Sequence, residues 1–153
     1  MGKEISDVVV SKVTDANDVR VYERVRDLLH QLYTNQVVPQ ERFQRVVSDS
    51  ATEVFIAEVD GTIVGTASLS SYDKLGGVKI CVIEDVVVDE SLRGGGIGKK
   101  LTDALVQRAV ELGAPFVDVS TRREDAMGFY VKNGFEDKSA KKHCYTLRRY
   151  LKK

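Results

Sequence analysis

Apolar residues change their spacing several times along the chain, and each change marks an element. Val8, Val9 and Val10, within DVVVSKV at 7–13, suit a strand at or near a sheet edge. Thr14 and Asp15 can then cap a helix from about Ala16 to Tyr33, with Val19, Tyr22, Val25, Leu28, Leu29 and Leu32 as its buried stripe. After the connector TNQVV, Pro39 is placed as a first-turn residue of a shorter helix through Val47. From Thr52 the period shortens, with Val54, Ile56 and Val59 before Asp60-Gly61 and Ile63, Val64 and Ala67 after it. Asp-Gly between two β-rich runs is a strong hairpin signal, because the tight turn needs positive φ. The second arm reaches about Ser71, and Asp73 to Gly77 turn the chain into a third run, Cys81 to Val88, interrupted by Glu84 and Asp85. Helical spacing returns with Leu101, Ala104, Leu105, Ala109 and Leu112, predicting a helix over 99–112 that Gly113 and Pro115 end. Phe116 to Thr121 is the next strand; reached through a helix, it should lie parallel to 81–88 with a right-handed crossover. A short helix over Arg122 to Asn133, ended by Gly134, and a last strand from His143 to Tyr150 complete an α/β chain.

Gly94-Gly95-Gly96-Ile97-Gly98 falls where the third apolar run hands over to a helix N-terminus. Such a turn leaves backbone N–H groups unpaired beside the positive end of the helix dipole, where phosphate oxygens are natural ligands. A side chain at Gly94, Gly96 or Gly98 would hold the ligand off or forbid a positive φ, while Arg93, Lys99 and Lys100 add cationic charge. Two familiar phosphate loops do not fit. No Ser or Thr directly follows Lys99 as a P-loop requires, and the order of elements is not that of a dinucleotide-binding unit.

Arg93-x-x-Gly96-x-Gly98 after IEDVVV resembles the acetyl-CoA pyrophosphate loop of the GNAT superfamily of N-acetyltransferases, Gln/Arg-x-x-Gly-x-Gly/Ala. Ala126 to Phe135, AMGFYVKNGF, is similar to the superfamily's C-terminal A-x-x-F-Y-x-K-x-G-F element. The resemblance covers about residues 52–135. It implies a mixed, mostly antiparallel sheet of about six to seven strands with helices on both faces. The two parallel central strands then splay at their C-terminal ends to admit the pantetheine arm. Acetyl-CoA is the implied cosubstrate, with Arg93, Gly94, Gly95, Gly96, Ile97, Gly98 and Lys99 at its pyrophosphate and the backbone of Val86, Val87 and Val88 along the pantetheine. Tyr130, by the same resemblance, stands near the CoA sulfur. IEDVVV, the glycine loop and LLHQLYTNQVVPQERF are also similar in layout to glucosamine-6-phosphate N-acetyltransferases, although VDVSTRREDAMGFY is longer than the corresponding stretch there.

Acetyl transfer to an amine requires a neutral amine, a donor to the carbonyl oxygen and a proton for the departing thiolate. Tyr130 is the candidate acid, protonated at neutral pH and able to donate to a thiolate. A backbone N–H near Val86 to Val88 can polarise the carbonyl. Glu84 and Asp85 are the candidate bases, expected on opposite faces of their strand, with Asp118 a weaker third. The resemblance makes the helix-loop-helix a wall of the acceptor pocket, and so Tyr33, Gln36 and Phe43 candidates to face the substrate. Arg122 and Arg123 can bind a phosphate or carboxylate on the acceptor, or sit on a helix surface.

At 153 residues the chain is expected to be one domain, and 23 basic against 23 acidic residues provide no net field for nucleic acid or anionic membrane. No apolar run approaches the ~20 residues of a membrane span, and no secretory h-region opens the chain, which reads as cytoplasmic. Met1-Gly2-Lys3-Glu4-Ile5-Ser6 does fit the loose N-myristoylation template. Cys81 and Cys144 are too few for a disulfide framework and, with His30 and His143, lack metal-ligand spacing, so no metal is expected. Cys81 as a covalent acetyl carrier lacks a histidine near it in sequence. The sequence thus points to an acetyl-CoA-dependent N-acetyltransferase acting on a small-molecule amine by direct attack. The alternatives are a protein or peptide N-acetyltransferase and a non-catalytic acyl-CoA sensor. A homodimer is the expectation from the fold.

Overall fold

Positive φ at both Asp60 (50°) and Gly61 (75°) closes the tight hairpin expected from the sequence, and Val59 pairs directly with Thr62 across it. This hairpin is the middle of a sheet in a computed structural model that describes residues 7–139 and 147–151. The chain divides into two compact units, the first ending at Ser120 and the second beginning at Thr121.

In the first unit the order is β1 (Val8–Lys12), α1 (Val19–Leu32), α2 (Gln40–Ser48), β2 (Thr52–Val59), β3 (Thr62–Asp73), β4 (Lys79–Val88), a 3-10 turn (Glu90–Leu92), α3 (Ile97–Glu111) and β5 (Val117–Val119). The strands lie side by side in chain order, antiparallel except for the β4–β5 pair. Five strands are thus present among the described residues, against six to seven expected. Part of the expected last strand, 143–146, lies outside those residues, as do Met1 and Gly2, and Leu147 to Leu151 have no regular structure.

Helices cover both faces of the sheet. Val21, Val25 and Leu28 of α1 and Phe43 of α2 share one core with Val54, Ile56, Ile63 and Val87. Each such burial contributes roughly 1.5–3 kcal/mol. On the opposite side Ile97 of α3 packs beside Ala57 and Gly65, and Leu101, Leu105 and Ala109 continue the buried stripe. The helix starts differ from expectation. Asp15 is spent on a turn, accepting from Asn17 N–H at 2.8 Å, so the cap of α1 is Asp18, which accepts from Val21 N–H at 3.0 Å. Helix α3 begins at Ile97 rather than 99 because Gly96, with φ 83°, is itself the N-cap.

The second unit contains α4 (Glu124–Lys132), closed at Gly134, where Gly134 N–H donates to Val131 O at 3.2 Å and Phe135 N–H to Tyr130 O at 3.0 Å.

Candidate active site

Strand β4 is irregular where the sequence places its acids. Thr66 pairs with Val87 and Ser68 with Glu84, which leaves Ala67 alone opposite Asp85 and Val86. The extra residue is a β-bulge, and Asp85 within it adopts a left-handed conformation at φ 53°. Alternation therefore fails at this point, and with it the expectation of opposite faces: Glu84 and Asp85 are both exposed. Ser68 Oγ donates to Glu84 O at 3.3 Å beside the bulge, and Ser70 Oγ donates to a Glu84 carboxylate oxygen at 3.4 Å. Tyr33, the residue just after α1, donates its hydroxyl to Asp85 Oδ1 at 2.7 Å. Burial first, then the two carboxylates, push the Tyr33 hydroxyl up to about 12.

Beyond the bulge β4 has an open edge. Pairing to β5 runs only from Cys81–Val117 to Ile83–Val119, so among the described residues Glu84 to Val88 have no strand on that side. The strand then enters the glycine turn. Lys100 N–H to Gly96 O, 3.1 Å, is the first bond of α3, which leaves the N–H groups of Ile97, Gly98 and Lys99 without an acceptor in the helix. Gly94 and Gly96 both have positive φ, and a Cβ built on either meets nothing within 4 Å. The turn is an open cradle of amides at a helix N-terminus, which fits a diphosphate. Arg93 is exposed and donates from Nε to Val88 O at 3.3 Å, while Lys99 pairs with Asp103 at 2.6 Å.

Residues that sequence reasoning missed hold this junction in place. Arg24 of α1 donates to Ile63 O at 2.7 Å and pairs with Asp89, while Gln31 accepts from Glu90 N–H at 3.0 Å. Hydrogen bonds from Ser91 and Arg24 hold the Asp89 carboxyl below the usual range. Gly65 lies under the bulge, where an added Cβ would stand 3.2 Å from Val87 O and 3.5 Å from Ile97 Cγ2. A polar residue tolerant of left-handed φ inside a β-branched run was the one signal of the bulge; the pairs made by α1 left no trace in spacing.

Other candidates are placed as follows. Asp118 is exposed on β5, and Gln36 is exposed, whereas Phe43 is buried in the α1–α2 core, which corrects its expected part in the acceptor wall. Cys81 is fully buried and its thiol is pushed up by burial, the environment of an inert thiol. In the second unit Arg122 is exposed, and Arg123 forms two bonds to Asp125, at 3.1 and 2.5 Å. Tyr130 is buried between Phe129 and Phe135, with ring centroids 5.2 and 5.4 Å away in edge-on contact. Burial alone raises its hydroxyl, which enters no hydrogen bond among the described residues. No group of metal-ligating side chains occurs among the described residues.

A mixed sheet with one open, bulged strand leading into an amide cradle, with two carboxylates beside the bulge, defines an α/β protein. The family model described as "Acetyltransferase (GNAT) family" matches residues 20–135, and the chain belongs to that family of acyltransferases. The glucosamine 6-phosphate N-acetyltransferase of Trypanosoma brucei brucei is 42% identical over 86 residues, 55% of this chain and 58% of that protein. Glucosamine 6-phosphate N-acetyltransferase 1 of Oryza sativa subsp. japonica is 38% identical over 63 residues, 41% of this chain and 38% of that protein. The chain thus matches less than two thirds of the length of either. Among solved structures, an aminoglycoside acetyltransferase from an uncultured soil metagenomic sample aligns with TM-score 0.79 at 24% identity, covering 95% of this chain and 97% of that one. A Trypanosoma brucei acetyltransferase aligns with TM-score 0.75 at 27% identity, covering 95% and 100%. Among the described residues no helix is long and apolar enough to cross a membrane.

Proposed function

We propose that the protein moves an acetyl group from acetyl-CoA to the primary amine of a small molecule within a ternary complex. The observation that carries this reading is the continuity of the open β4 edge, Glu84 to Val88, with the amide cradle from Gly94 to Lys99. An extended pantetheine can bond the free strand edge while its diphosphate meets the helix N-terminus. Arg93, Gly94, Gly95, Gly96, Ile97, Gly98 and Lys99 are the proposed pyrophosphate residues, and Val86, Val87 and Val88 the proposed pantetheine residues. Acetyl-CoA supplies an activated thioester; the chain supplies placement, a base and an acid. Glu84 or Asp85 takes the proton of the incoming ammonium, and Tyr130, whose hydroxyl is uncommitted among the described residues, gives one to the departing thiolate. The part given to Tyr130 rests on its place in the F-Y-x-K-x-G-F element.

The curated relatives make glucosamine 6-phosphate the first acceptor to try. Of the two arginines, Arg122 is the one proposed to bind an acceptor anion, since Arg123 already pairs with Asp125. A homodimer in the cytoplasm completes the proposal. The test is release of free thiol from acetyl-CoA with a panel of amines: glucosamine 6-phosphate, polyamines, amino acids, aminoglycosides and a lysine-rich peptide. Turnover with one small amine is expected. Turnover with the peptide alone would replace the reading with protein acetylation, and tight acetyl-CoA binding with no turnover would replace it with a sensor.

A further inference from the structure

Helix α1 ends in a side chain that reaches the bulge of β4. Tyr33 and Asp85 are 52 residues apart, yet the hydroxyl stands 2.7 Å from Asp85 Oδ1, shorter than the 3.4 Å contact from Ser70 to Glu84. The contact is anchored at both ends. Tyr33 follows directly on the last turn of α1, its own N–H bonded to Leu29 O at 2.8 Å, and α1 is fixed to β3 by Arg24 at Ile63 O and to the 3-10 turn after β4 by Gln31 at Glu90 N–H. Asp85 sits on a left-handed backbone that its neighbours in β4 do not share, so its carboxylate direction is set by the bulge.

From this geometry we propose that Tyr33 is a positioning residue for the acceptor site. Its hydroxyl holds Oδ1 of Asp85, so that Oδ2 is the oxygen offered to the acceptor's ammonium. This rests on the acetyltransferase reading above and deepens it, by assigning the held carboxylate as the one that meets the amine. A carboxylate fixed by one donor loses less freedom when the amine arrives, and the amine is delivered in one orientation.

The test is a double-mutant cycle of Tyr33→Phe and Asp85→Asn on the whole chain, read as kcat/KM for the best amine, KM for acetyl-CoA and thermal midpoint. Tyr33→Phe should lower kcat/KM for the amine about tenfold while leaving the KM for acetyl-CoA unchanged. In the Asp85→Asn background the same change should cost less than about twofold, because the carboxylate through which Tyr33 acts is gone. Equal losses in both backgrounds, or a loss that follows the thermal midpoint, would overturn the proposal. A second readout does not need turnover. Carbon-13 resonances of the tyrosine rings report the Tyr33 hydroxyl directly, and its titration, pushed up to about 12, should fall part of the way towards 10.0 in Asp85→Asn. An unmoved Tyr33 titration would sink the contact itself. Inactivity of the unmodified protein towards every amine, with the titration moving as expected, would instead sink the acetyltransferase reading and with it Tyr33's part in catalysis.

Discussion

Asp85 meets two demands that rarely coincide in a strand. Its backbone is left-handed, which costs most residues roughly 1–2 kcal/mol but is milder for Asp, Asn and Gly. Its side chain also takes the Tyr33 hydrogen bond. Substitutions separate the two. Asp85→Gly should leave stability within about 1 kcal/mol of the parent by urea denaturation, since glycine accepts the bulge, yet thiol release should fall at least about tenfold. Asp85→Ala should lose the same activity and in addition about 1 kcal/mol of stability. A glycine variant with full turnover would remove this carboxylate from the chemistry. Tyr130 makes the complementary case, a tyrosine held by two aromatic rings with a hydroxyl spent on none of the described residues. Tyr130→Phe keeps both ring contacts, so it should lower kcat by about tenfold or more with acetyl-CoA affinity unchanged in calorimetry. An equal fall in acetyl-CoA affinity would make it a wall of the binding site rather than a proton donor.

At the scale of elements, the site depends on the close approach of β3 to a bulged β4 and to the first turn of α3. Gly65 allows this, because a Cβ there would stand only 3.2 Å from Val87 O, tighter than ordinary contact, with Ile97 Cγ2 already in contact at 3.5 Å. Gly65→Ala is expected to weaken acetyl-CoA binding several-fold, by moving the bulge and the helix start, while costing about 1–3 kcal/mol of stability. Calorimetric titration with acetyl-CoA checks it, and an unchanged affinity would show that the cradle does not depend on this packing. Here the limits of sequence reasoning become physical. Hairpin, helices and the glycine cradle were legible because each is local: a turn residue, a 3.6-residue period or a glycine run specifies it within a few positions. The bulge left only a polar residue inside a β-branched run as its local sign, since period-two alternation treats Glu84 and Asp85 as neighbours on opposite faces and the shift itself shows only against the partner strand's register. Arg24 with Asp89 and Tyr33 with Asp85 escaped for the same reason, being contacts across 65 and 52 residues that no local pattern encodes.

Across the whole of the first unit, one ion cluster ties the far side of the sheet to α3. Glu53 on β2 accepts two bonds from Arg108 of α3, both 2.8 Å, and one from Lys12 of β1, also 2.8 Å. Its side chain is only 12% exposed, so little water screens the cluster from its side, and the hydrogen bonds from Arg108 first, then Lys12, hold its carboxyl at about 2 instead of 4.5. Arg108 stays charged throughout, so the acid dependence of its pair with Glu53 is that of the Glu53 carboxyl. A carboxyl depressed on folding stabilises the native state above its unfolded value, and that contribution disappears as pH falls from about 4.5 through about 2. The shift corresponds to ~3 kcal/mol, which the more exposed cations reduce to ~1–2 kcal/mol. Glu53→Gln should therefore be less stable than the parent by that amount at pH 7, and the gap should shrink as pH falls below about 4.5 and close as it passes about 2. Urea denaturation across this range decides it. A gap that persisted at low pH would mean that the Glu53→Gln variant fails for reasons of packing, and a missing gap at neutral pH would mean that the cluster gains no more from attraction than it loses in desolvation.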